Sequence, residues 1–144
     1  MPSSTFFLYT TSHDIAASRR FYSELIGLEQ LWDEPDHIAY RIDGGVQFAI
    51  SYDPRVITDD AWSFQPGWAP VLDLEAGPRG ARASWSISLS PEKFQHAVAR
   101  LQQAGVEVLQ PEPFWVGYWS FVAKDPMGQT VELSDPLTDG PSTP

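Results

Sequence analysis

The sequence predicts an α+β fold of two tandem βαβββ modules with curved mixed sheets. Two internal echoes carry this expectation. Ser12, Asp14, Gly27 and Leu31 recur 78 positions later as Ser90, Glu92, Gly105 and Leu109. Gly45-Val46-Gln47-Phe48-Ala49-Ile50-Ser51 is matched by Gly128-Gln129-Thr130-Val131-Glu132-Leu133-Ser134. Self-similarity at a fixed offset marks a repeated structural unit. If the two copies face each other, equivalent strands line one central cavity.

The first copy opens with Thr5 to Thr11, β-branched and aromatic, which reads as a strand. Ser12 or Asp14 can cap the helix that follows. Ile15, Tyr22, Leu25 and Ile26 mark its apolar face, and Gly27 suits a left-handed stop. Leu28 to Trp32, Ile38 to Ile42 and Val46 to Tyr52 read as three strands, the last two joined by a hairpin at Gly44-Gly45. In the second copy, Ala83 to Leu89 reads as a strand. Ser90-Pro91-Glu92 supplies a cap, a proline for the first helical position and an early acid. Phe94, Ala97, Val98 and Leu101 form an apolar stripe that ends at Gly105. Val106 to Leu109, Tyr118 to Ala123 and Thr130 to Ser134 are the three strands after it. Asp125-Pro126-Met127-Gly128 is the turn before the last.

These boundaries divide one domain, residues 1–136, into a module at 5–52, a linker at 53–82 and a module at 83–136. The tail, 137–144, reads as disordered. The linker holds four of the 13 prolines together with Trp62 and Trp68. So long a connection without periodicity is expected to cover a site or an interface.

Composition narrows the function. The chain has 144 residues and is 42% hydrophobic, which suits one globular domain. Its formal net charge is -10 and it has no basic run, so nucleic acid is not an expected partner. The acidic field suits a cationic ligand, or serves solubility alone. With no cysteine, thiolate metal sites and cysteine nucleophiles are excluded. No apolar run approaches the roughly 20 residues of a membrane span, and the expected compartment is the cytoplasm.

The Phe21-Tyr22-Ser23-Glu24-Leu25-Ile26-Gly27-Leu28 segment and the Asp125-Pro126-Met127-Gly128-Gln129-Thr130-Val131-Glu132-Leu133 hairpin resemble the vicinal oxygen chelate superfamily. That group includes glyoxalase I, extradiol dioxygenases, and fosfomycin- and bleomycin-resistance proteins. The resemblance covers Thr5 to Pro136. It implies that paired sheets enclose a cavity with metal ligands on the first and last strand of each unit. Carried over, those positions fall on Phe7, Ala49, Ser86 (or Trp85) and Glu132. Divalent metals in catalytic sites take about three His, Asp or Glu ligands. Only Glu132 qualifies, so no metal and no other cofactor is expected. His13, His37 and His96 read as surface or capping residues. The character is nearest to the bleomycin-resistance branch: a small-molecule-binding protein, expected to be a homodimer, that sequesters an aromatic or cationic compound without a metal. The alternative is a metal-dependent lyase, isomerase or dioxygenase with a displaced site, for instance His37 and Glu132 with Asp59 or Asp60.

Strand alternation gives an independent view of the cavity lining. Gln47, Ala49 and Ser51 share one face, as do Ser84, Ser86 and Ser88, and Thr130, Glu132 and Ser134. These faces either line a cavity or meet solvent. Phe7 and Tyr9 point the same way on the first strand, and Trp115 and Tyr118 beside Gly117 read as a mobile pocket wall. Aromatic walls in an acidic site suit a cation. Glu132 is the catalytic candidate, as a base or charge partner; alternatively it forms an ion pair with Arg41 or Lys124. The ligand-binding set is Phe7, Tyr9, Gln47, Ala49, Ser86, Trp115, Tyr118 and Glu132.

Overall fold

The structure, a computed structural model, describes residues 6–58, 61–63 and 84–141. Each module has the predicted order. In the first, β1 (Phe6–Ser12) leads into a helix, α1 (Ile15–Arg19), which continues as a π-helical stretch over Arg20–Ile26. Strands β2 (Glu29–Glu34), β3 (His37–Ile42) and β4 (Val46–Tyr52) follow. In the second, β5 (Trp85–Ser88) precedes α2 (Pro91–Ala104), and then come β6 (Phe114–Trp115), β7 (Trp119–Lys124) and β8 (Thr130–Asp135). The sheets run β1-β4-β3-β2 and β5-β8-β7-β6. In each, the first strand lies parallel to the last and the other pairs are antiparallel. The sheets are open, and no strand of one pairs with a strand of the other.

Local chemistry explains the boundaries. Asp14, not Ser12, caps α1, its carboxylate accepting from the amide of Ala17. Ser12 is buried instead, with its hydroxyl bonded to Ser18 at 2.8 Å. Ser90 caps α2 through the amide of Lys93, with Pro91 in the first turn where its missing N–H costs nothing. Gly27 and Gly105 end the helices at φ 86 and 70, in the left-handed region that favours glycine.

The second module departs from expectation at its outer edge. Val106 to Leu109 is not a strand; only Val108 bridges β7, at Ala123. The edge resumes as Phe114–Trp115 against Ser120 and Trp119. Pro111 and Pro113 lie between, and proline has no N–H to give a ladder, so the outer strand is split in two. The described part of the tail makes local contacts. Asp135 accepts from the amides of Leu137 and Thr138 and from the Thr138 hydroxyl. The Trp119 indole donates to the carbonyl of Asp139 at 2.8 Å. The readings placed on Thr5, Ala83, Trp68 and 142–144 lie outside the described residues.

One core joins the modules. Phe21, Tyr22, Ile38, Tyr40, Phe48 and Ile50 of the first pack with Ile87, Phe94, Leu101, Phe121 and Leu133 of the second. The rings of Phe48 and Trp85 lie 5.2 Å apart. Arg100 of α2 donates to the carbonyls of Leu25 and Ile26, capping the end of the first helix. Most pointedly, the fully buried Tyr22 donates to Asp125 at 2.7 Å. The other oxygen of Asp125 accepts from the amides of Met127 and Gln129. The same carboxylate thus shapes the β7–β8 turn and holds the opposite module.

Two stability predictions follow from these contacts. Tyr22→Phe is expected to lower stability by about 1.5 kcal/mol, and Asp125→Ala by roughly 3 kcal/mol, in urea unfolding. Burial first, and then the neighbouring Asp125, hold the Tyr22 hydroxyl well above its usual pKa. Its contribution is therefore complete below the unfolded value of about 10 and is lost as pH rises through the folded one. Tyr22→Phe should flatten the alkaline loss of stability. Asp135 behaves oppositely. Burial would raise its carboxyl, but the Thr138 hydroxyl and the two amides more than offset this and hold it below the usual range. The tail contact should persist above the unfolded value of about 3.9 and be lost as pH falls through the lower folded one. Trp119 fluorescence reports that release, and Thr138→Ala should move it to higher pH.

Candidate functional site

Each sheet has one face against the helices and one turned away. On the first sheet, register places Phe7 opposite Gln47 and Arg41, Tyr9 opposite Ala49 and Ala39, and Thr11 opposite Ser51 and His37. These residues share the face away from the helices, since Phe48, Ile50, Ile38 and Tyr40 alternate with them in the core. Phe7, Tyr9, Gln47 and Ala49 therefore share one face. The Phe7 and Tyr9 rings stack with centroids 6.3 Å apart, and they are 49% and 66% exposed on an edge strand. Ala39 and Ala49 are buried.

On the second sheet, Ser86 pairs with Glu132, and Glu132 with Val122. Ser120 and Ser134 form the neighbouring pair on that face. Glu132 is 1% exposed. It accepts from the Tyr118 hydroxyl at 2.9 and 3.2 Å and from the Ser120 hydroxyl at 2.6 Å. These bonds give a buried carboxylate the polar partners it requires. Its described partners are thus hydroxyls, not the Arg41 or Lys124 that the sequence suggested. The Lys124 ammonium reaches Glu107 at 3.2 Å and lies 5.0 Å from the Trp62 ring centre. Ser63 donates its amide to Thr130, so this part of the linker does lie on the face of Glu132.

Trp115 is a correction. It pairs with Trp119, and Trp119 with Asp135, which places it on the opposite face from Tyr118, Ser120 and Glu132. Its ring meets Trp119 edge-on at 5.5 Å and abuts Gly140, where even a Cβ would come within 2.7 Å of the indole. Trp115 is therefore packed under the tail and forms no wall with Tyr118. The irregular edge strand is the cause: Val116 and Gly117 (φ 96) form the turn that decides which ring faces which way.

Register places the carried-over positions differently in the two modules. Ser86 and Glu132 are direct partners, but Phe7 pairs with Gln47, and Ala49 with Tyr9. The first-module counterpart of the Ser86–Glu132 pair is either Phe7–Gln47 or Tyr9–Ala49. Neither contains a histidine or carboxylate. Among the described residues, no three His, Asp or Glu side chains converge where a metal could sit. The donor set does not fit the metal centre that the superfamily resemblance implies. Asp59 and Asp60 lie outside the described residues.

The ligand-binding set drawn from the sequence leaves out two neighbours on the first face. Trp32 and His37 stack at 5.6 Å with their rings within 21° of parallel, and His37 Nδ1 is 2.8 Å from the Ser51 hydroxyl. His37 is no capping residue. It begins β3 and shares the face of Tyr9. His13 instead reaches the Thr58 hydroxyl at 3.2 Å. Two pockets of about 320 Å³ lie elsewhere, one beside Phe21, Lys124 and Asp125, the other beside Phe94, Trp119 and Asp135.

Two βαβββ modules, each with its first strand parallel to its last, define the class of fold. The chain belongs to the glyoxalase/bleomycin resistance protein/dioxygenase superfamily, whose family model matches residues 9–133. Solved structures agree in fold. A glyoxalase/dioxygenase from Nostoc punctiforme is 17% identical with a TM-score of 0.67, over 90% of this chain and 88% of that one. Lactoylglutathione lyase from Agrobacterium tumefaciens is 18% identical at 0.54, over 93% and 94%. The fosfomycin resistance protein FosX from Mesorhizobium loti is 10% identical at 0.58, over 94% and 92%. Comparison with curated protein sequences finds no match.

The hydroxyl clasp on Glu132 yields a site-level prediction. Ser120→Ala removes a 2.6 Å donor from a buried carboxylate and should cost about 2 kcal/mol in thermal or urea unfolding. Glu132→Gln should be milder when combined with Tyr118→Phe than the separate effects would sum to, because the two groups share one contact.

Proposed function

We propose that the protein binds a small aromatic or cationic molecule on these two faces and does so without a metal. The observation that carries this reading is the contrast between the equivalent positions. The second module presents one carboxylate, clasped by hydroxyls, while the first presents Phe7, Tyr9, Gln47 and Ala49. Such a surface stacks and hydrogen-bonds a ligand better than it ligates an ion. The formal charge of -10 favours a cation over an anion. We take the cytoplasm as its compartment; among the described residues no helix is long and apolar enough to cross a membrane.

The same reading makes the working unit a homodimer. Phe6, Phe7 and Tyr9 stand at 59%, 49% and 66% exposure along an unpaired strand edge, and the two sheets of one chain do not close on each other. A second copy would cover this stripe and bring a face of one chain opposite a face of its partner. Sedimentation should give twice the chain mass at micromolar concentration, and Phe7→Asp with Tyr9→Asp should give a folded monomer. Wild type sedimenting as a monomer would overturn the dimer. Titration with planar aromatic amines should quench tryptophan fluorescence saturably, and a Tyr9→Ala variant should bind about tenfold more weakly.

A second reading is an enzyme of the same superfamily with a displaced metal site. Its support is the fold shared with proteins named lactoylglutathione lyase and FosX. It requires stoichiometric bound metal that is lost on Glu132→Gln, measurable by elemental analysis.

A further inference from the structure

We propose that His37 is a ligand-contacting hydrogen-bond acceptor, taking the hydroxyl of a phenolic ligand on Nε2. This rests on the reading of the first sheet's outer face as a binding face, and it names the chemistry that face selects. Three independent features place and orient the ring. His37 stands one residue pair beyond the row Tyr9, Ala49, Ala39 and Trp32, so it flanks two small side chains between two aromatic ones. Its Nδ1 is fixed at 2.8 Å from Ser51, the residue directly across the strand pair. Its ring face is covered by Trp32.

The Trp32 contact is itself built in. Glu29 and Gln30 pair with Arg41 and Tyr40, and then the register shifts before Trp32 pairs with Ala39. Plain alternation from Gln30, whose side chain reaches Ser23 on the helix side, would send Trp32 to that side too. The extra residue, Leu31, turns the indole onto the face of His37. Bulges re-aim side chains in this way and are common beside binding sites.

A neutral imidazole has one N–H and one lone pair, and the hydrogen bond on one nitrogen sets the role of the other. The 2.8 Å contact with the Ser51 hydroxyl accommodates either tautomer; the proposed role takes the one in which Nδ1–H donates to that hydroxyl, which leaves the lone pair on Nε2. Nε2 has no hydrogen-bond partner among the described residues. An acceptor among Phe7, Tyr9 and Trp32 selects an aromatic ring that carries an O–H donor. Ser51 and Trp32 are positioning residues in this account.

The test pairs two probes of nearly the same shape, 2-naphthol and 2-methoxynaphthalene, which differ in the donor. Long-range proton–nitrogen spectra of the ligand-free protein should show His37 protonated on Nδ1. Calorimetry should show 2-naphthol binding about tenfold tighter than the ether, the worth of one hydrogen bond. His37→Phe, which keeps a ring for Trp32 to stack on, should abolish the preference yet still bind the ether. His37→Gln should restore part of it. A proton on Nε2, equal affinities in the wild type, or a preference surviving in His37→Phe would each overturn the role of His37 while leaving the binding face in place. If neither probe binds, the aromatic-ligand reading fails and this inference fails with it.

Discussion

Much of the structure depends on one carboxylate. Asp125 receives the buried hydroxyl of Tyr22 on one oxygen and two turn amides on the other. A carboxylate left short of donors in that setting is costly, so the turn and the helix constrain each other. The turn starts β8 and so fixes which residues alternate onto the face of Glu132. The tyrosine lies on the π-helical stretch after α1, among Phe21, Tyr40 and Phe48, which orient the first sheet. The two outward faces therefore have their relative placement set by a contact remote from both.

The faces themselves have diverged chemically while keeping their register. Ser86 and Glu132 are paired as parallel partners, and the corresponding residues of the first module are aromatic, amide or methyl. Repetition preserved the backbone, and side chains chose the chemistry. In the second module the polar groups bind each other: Tyr118 and Ser120 hold Glu132. In the first, aromatic surface and an oriented imidazole remain available. This asymmetry supports recognition of an organic ligand more directly than it supports ligation of an ion.

Much of the fold was legible because its punctuation is local. Gly44-Gly45, both at positive φ, and Ser90-Pro91 fix a hairpin and a helix start within a few residues, and β4 falls where the alternation placed it. The errors arose where a distant or irregular contact decides. Val106 to Leu109 has strand-forming residues but meets prolines before it can extend a ladder. The site was legible where strands are regular: Phe7, Tyr9, Gln47 and Ala49 share a face, as do Ser86 and Glu132. It was illegible where a bulge or a broken edge resets the alternation. Leu31 brings Trp32 onto the face with His37, and the Val116-Gly117 turn separates Trp115 from Tyr118. Neither shift leaves a compositional mark.

The central claim is that the faces bind without a metal, and its most direct measurement is ligand affinity on one sample before and after chelation. Elemental analysis of that sample fixes its metal content at each step. The account predicts saturable binding of a planar aromatic amine with the same dissociation constant in the metal-free protein. Binding that vanishes on chelation and returns with a stoichiometric divalent ion would contradict it.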